Sequence, residues 1–73
     1  MITEELFEKT EKEYRFRVYA TREFLIKSLA DLDISAENVN VNKVTEDWNS
    51  FIDSVRYLEA LQMLRNEDFI NEL

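Results

Sequence analysis

The residues able to do chemistry in this chain are its carboxylates. Sixteen Asp and Glu stand against nine Lys and Arg, and there is no His and no Cys. Acid pairs such as Glu46 with Asp53, or Asp31 with Asp33, are the raw material of general acid–base catalysis. That work requires a pocket that raises one member's pKa by burial, and nothing in the surrounding sequence builds one. Ser and Thr hydroxyls lack a His base to activate them. Lys9, Lys12, Lys27 and Lys43 all sit in charged, solvated context. Without Cys and His there are no disulfides, zinc fingers or haem ligands. Without Gly there is no glycine-rich phosphate loop. The expectation is a non-enzyme that carries no cofactor.

Two short motifs offer a site. Asp31-Leu32-Asp33-Ile34-Ser35 resembles the opening of an EF-hand loop, in which oxygens at positions 1, 3 and 5 wrap calcium. The resemblance covers five residues and stops: Ala36 stands where the sharp turn wants Gly, and Asn42 where a bidentate carboxylate is needed. A helix end followed by an acidic loop is the better account, so no metal site is assigned. The second motif is Arg15-Phe16-Arg17 with Tyr19 and Arg22. Basic residues interleaved with aromatics can contact phosphates and stack bases. The favoured account is that these arginines pair with Glu11, Glu13, Glu23 and acids of the second helix.

Charge points to partners of the opposite kind. The net charge is −7. Residues 1–13 hold five acids and two lysines, residues 14–30 four bases and one acid, and residues 31–73 ten acids and three bases. An acidic surface repels nucleic acid and anionic headgroups and attracts basic surfaces. Direct nucleic-acid binding is therefore not expected. The longest apolar run, Phe24-Leu25-Ile26, is far below the ~18–20 residues a membrane span needs. The acidic N-terminus lacks the basic region of a secretory signal, so cytoplasmic residence and no membrane partner are expected.

A chain of 73 residues makes one small domain, 1–73, near the lower limit for folding alone. Phe7, Thr10, Tyr14, Val18, Thr21, Leu25, Leu29 and Leu32 are spaced 3-4-4-3-4-4-3, one stripe of a helix over 4–32. Thr3 reads as its N-cap, with Glu4 and Glu5 at the positive end of the dipole. Two signals compete. Tyr14-Arg15-Phe16-Arg17-Val18 alternates like a strand, and Thr10 with Glu13 forms a capping box able to start a second helix. Tight hairpins rely on Gly at positive φ, and the chain has none. In the Asn-rich connection from Asp33 to Val44, Asn38, Asn40 and Asn42 tolerate the left-handed backbone instead. Thr45 reads as the next N-cap, followed by a core stripe of Trp48, Phe51, Ile52, Val55 and Leu58. Asn66 restarts a short C-terminal helix with Phe69, Ile70 and Leu73. The predicted fold is all-α, two long helices plus that short one. The alternative is a small α+β fold with strands near 14–20 and 38–44.

Each helix carries more apolar surface than one stripe needs, notably Phe16, Tyr19 and Phe24 on the first and Tyr57, Leu61 and Leu64 on the second. Something must cover them: the last turn, a second copy, or another protein. The reading is an acidic protein-binding module that occludes a basic surface of a partner through Asp31, Asp33, Glu37, Glu46, Asp47 and Asp53. In size, charge and lack of Cys the chain resembles small phage-encoded inhibitors of nucleic-acid enzymes, a likeness that rests on no motif. The alternatives are a structural homodimer or larger assembly, and a dimeric nucleic-acid binder presenting Arg15 and Arg17.

Overall fold

The computed structural model describes residues 3–72, with side chains from 3 to 66. It is an all-α hairpin: α1 spans Glu4–Asp31 and α2 spans Asn42–Glu72. No strand occurs among the described residues. The alternating stretch at 14–20 lies inside α1, and 38–44 is irregular chain leading into α2. Thr3 caps α1 as expected, its hydroxyl accepting from the Leu6 N–H at 3.2 Å. Thr10 starts no second helix. Its hydroxyl donates instead to the Leu6 carbonyl at 2.8 Å, and Thr21 bonds back to Arg17 at 2.8 Å. These back-bonds satisfy a polar side chain in a helix interior.

The hairpin turns without Gly because the turn residues use side chains in place of a left-handed backbone. No described residue has positive φ, so the expected left-handed Asn is not used. The Asp33 carboxylate accepts from the Ser35 N–H at 3.0 Å and hydroxyl at 2.7 Å. The Asn40 side-chain oxygen accepts from the Asn42 N–H at 3.0 Å. Both are local Asx-type turns. Because the second turn launches α2 at Asn42, Thr45 is not the cap: its N–H already bonds to the Val41 carbonyl at 2.8 Å. Glu46 and Asp47 accordingly fall beyond the first turn, which holds no acid. At its other end α2 runs to Glu72 as one helix, so Asn66 begins no separate element. The side chains of Phe69, Ile70 and Leu73 lie outside the described ones.

The seam between the helices has heptad spacing. On α1 and its C-cap the shielded positions include Phe7, Glu11, Tyr14, Val18, Thr21, Leu25, Ser28 and Leu32, spaced 4-3-4-3-4-3-4. On α2 they include Val44, Asp47, Phe51, Ser54, Leu58, Leu61 and Arg65, spaced 3-4-3-4-3-4. Two helices kept in continuous contact settle at 3.5 residues per turn, whereas the expected eleven-residue row follows a lone straight helix. Two corrections follow. Ser28 replaces Leu29 in the seam, and Asp47 replaces Trp48. Only Phe7 (5% exposed) and Leu25 (6%) are fully buried apolar residues among those described. The molecule is a rod of 60 × 17 × 12 Å. Its radius of gyration is 17.1 Å, against ~11 Å for a globule of this length.

Candidate functional site

The polar link that replaces Leu29 and Trp48 fixes the loop end of the hairpin. Ser28 Oγ donates to Asp47 Oδ2 across the seam. Lys43 Nζ, one turn earlier on α2, donates to Asp47 Oδ1 at 3.3 Å. Asp47 is thereby only 8% exposed. This corrects its assignment as a partner-facing acid, since its carboxylate is spent inside the hairpin. The Ser28 hydrogen bond is the main cause holding the Asp47 carboxyl below its ordinary 3.8; burial pushes the other way, and Lys43 adds a donor and a positive charge. A group whose folded pKa is depressed stabilises the fold above its unfolded pKa, and that stabilisation is lost as pH falls through the folded value. Asp47→Asn should therefore lower the Tm at neutral pH. The gap to the unsubstituted protein should close as pH drops below 3.8. Thermal melts followed by circular dichroism from neutral to strongly acidic pH check this; a gap independent of pH would refute it.

The remaining acids named from the sequence are exposed. Asp31, Asp33, Glu37 and Glu46 gather at the loop end of the rod. Asp53 stands apart, nearly two turns further along α2 than Glu46. The Ser35 hydroxyl, then its N–H, hold the Asp33 carboxyl below its ordinary value. That carboxylate serves the turn, and among the described residues no three acidic groups converge on a cation position.

The arginines pair along α1. Arg15 meets Glu11 at 3.5 Å, Arg17 meets Glu13 at 3.4 Å and Arg22 approaches Glu23 at 4.0 Å. These pairs lie within α1 and do not reach the acids of α2. Residues two apart on a helix point ~200° apart, so Arg15 and Arg17 do not share a face. Arg17 lies over the Tyr14 ring at 5.7 Å, and Tyr14 meets Tyr57 at 6.4 Å. The strand that would have aligned the two arginines is absent.

The predicted apolar residues divide among three sides. Phe16, 68% exposed, lies on the back of α1. Phe24 shares a shallow open recess of about 350 Å³ with Ser28, Lys43 and Asp47, which places it on one flank of the hairpin. Tyr57 and Leu64 follow on the same flank of α2, with Leu61 half-buried at the seam edge. Tyr19 lies on the opposite flank. At ~100° per residue, Ile26 and Leu29 join Tyr19 there. Lys43 marks the Phe24 flank of α2, so Trp48 and Ile52, on the other side of that helix, fall beside Tyr19, Ile26 and Leu29.

This second flank is an apolar surface built from both helices, and the sequence reading missed part of it by placing Trp48 and Leu29 in the core. Trp48 is in fact 52% exposed, tilted against Phe51 at 6.5 Å. The signal that identifies it is the polar pair Ser28 and Asp47, whose mutual satisfaction rotates each helix by one residue. No helix among the described residues is long and apolar enough to cross a membrane. Comparison with protein-family models, with curated proteins and with solved structures gives no match to this chain.

Proposed function

We propose that this chain is a non-enzymatic protein-docking hairpin whose acidic tip approaches a basic partner surface while its apolar flanks are covered by that partner. The observation that carries the reading is the imbalance of burial. Among the described residues two apolar side chains are buried, whereas Phe16, Tyr19, Phe24, Ile26, Leu29, Trp48 and Tyr57 are among thirteen large hydrophobics left exposed. Exposed apolar area of this extent marks an interaction surface, since each Å² covered is worth ~25 cal/mol. Four exposed acids at one end, Asp31, Asp33, Glu37 and Glu46, give the approach a direction through long-range attraction. Acting by occlusion, as an inhibitor or adaptor, requires no catalytic group.

The test is affinity capture from a lysate of the source organism, with the chain and with a variant carrying Lys at positions 31, 33, 37 and 46. A basic protein retained by the unsubstituted chain, and lost both on charge reversal and at high salt, is the expected result. Equal retention by the two proteins would sink the reading.

A further inference from the structure

The docking reading leaves open what covers the flank formed by Tyr19, Ile26 and Leu29 of α1 with Trp48 and Ile52 of α2. We infer that it is the same flank of a second copy of this chain, related by a two-fold axis and running antiparallel, with the helices overlapping over their loop halves. This inference rests on the docking reading and names the partner.

The first argument is area. The chain exposes 6271 Å². A folded monomer of 8.8 kDa exposes about 4,800 Å² by the surface scaling of compact proteins. The surplus of roughly 1,500 Å², spread over the whole rod, exceeds the ~800 Å² that one partner contributes to a standard interface. A surface spread over both helices of the hairpin suits a four-helix packing, in which each hairpin straddles the other.

The second argument is charge, and it fixes the overlap. Arg15 and Arg22 stand in the same heptad row of α1 as Leu29, with Arg15 at the end of the flank away from the connection. The Arg15 side chain stays 58% exposed with a single long contact to Glu11. The Ser28–Asp47 link sets the level of the two helices, so Trp48 stands beside Ile26. With the axis near the level of residue 24, Leu29 of each copy faces Tyr19 of the other, and Arg22 faces Ile26. Arg15 of one copy then lies level with Asp33 of the other, about 13 Å from the axis at 1.5 Å per residue. Each such contact occurs twice, as an isologous interface requires. Both ends of the rod are acidic: residues 1–13 carry five acids and the loop end another cluster. Full-length overlap, parallel or antiparallel, sets acid against acid. Half overlap sets Asp33 of each copy against Arg15 of its mate, so the chain itself supplies a basic group to its acidic connection.

The experiment is sedimentation equilibrium of the full chain at micromolar concentration, with Trp48 fluorescence followed on dilution. The expected mass is twice 8.8 kDa, with a red shift of Trp48 as the dimer dissociates. Trp48→Glu should give a monomer that remains helical by circular dichroism, because Trp48 lies outside the hairpin's own seam. Arg15→Asp should weaken the dimer about fivefold to tenfold through two symmetry-related exposed pairs, and adding Asp33→Arg should restore it. A cooperative monomer at high concentration overturns the inference, as does a dimer indifferent to Trp48→Glu or to the Arg15/Asp33 exchange. A monomer that still captures a basic protein through its tip overturns the self-pairing alone. A dimer that captures no other protein leaves the self-pairing standing and removes only a separate basic partner.

Discussion

Glu23→Pro should cost the hairpin about 3 kcal/mol or more, enough to unfold a large share of it. Glu23 is exposed and makes only a 4.0 Å contact with Arg22, so the side chain itself contributes little. The effect comes from the backbone: proline removes the hydrogen bond to the Tyr19 carbonyl and clashes with it in a helix interior. A 73-residue chain has about 4–11 kcal/mol of stability in all. The substitution also discriminates between the two sequence-level folds. If residues 14–20 were a strand and a helix began at 21, position 23 would fall in a first helical turn, where proline costs far less. Urea unfolding followed by circular dichroism decides it. A variant within about 0.5 kcal/mol of the original would remove the continuous α1.

Leu25→Ala should destabilise by about 2–3 kcal/mol. The loss combines the transfer energy of the removed atoms with the cavity they leave. It belongs near the low end of the range for Leu because a two-helix seam, unlike a globular core, is open on both sides and can partly collapse or admit water. The effect is nonetheless large, since Leu25 is one of only two buried apolar residues among those described. Phe16→Ala is the control. It removes a bigger side chain from the back of α1, away from both the seam and the proposed interface, and should change stability by no more than about 0.5 kcal/mol. Denaturant midpoints for the three proteins check the contrast. Equal losses at positions 16 and 25 would mean that the seam is misplaced.

The elements were legible wherever local physics decides them. Thr3, Glu4 and Glu5 announce the start of α1, and the apolar spacing from Phe7 to Leu25 carries it through the strand-like stretch at 14–18. The start of α2 was misread because Thr45 with two following acids is a good cap, whereas Asn40 acts two residues ahead of the helix it launches. Asx turns at Asp33 and Asn40 bond over two residues, and no periodicity reveals which candidate the chain uses.

The sequence by itself determined that this protein is two long helices without Gly-dependent turns, acidic, lacking His and Cys chemistry, and richer in apolar faces than a hairpin can bury. Those properties follow from residue type and from spacing along a single helix. Only the tertiary structure decided which face turns inward. The choice between Leu29 and Ser28, or between Trp48 and Asp47, depends on what stands across the seam. There Ser28 and Asp47 satisfy each other, and burying them together leaves Leu29 and Trp48 on the outside.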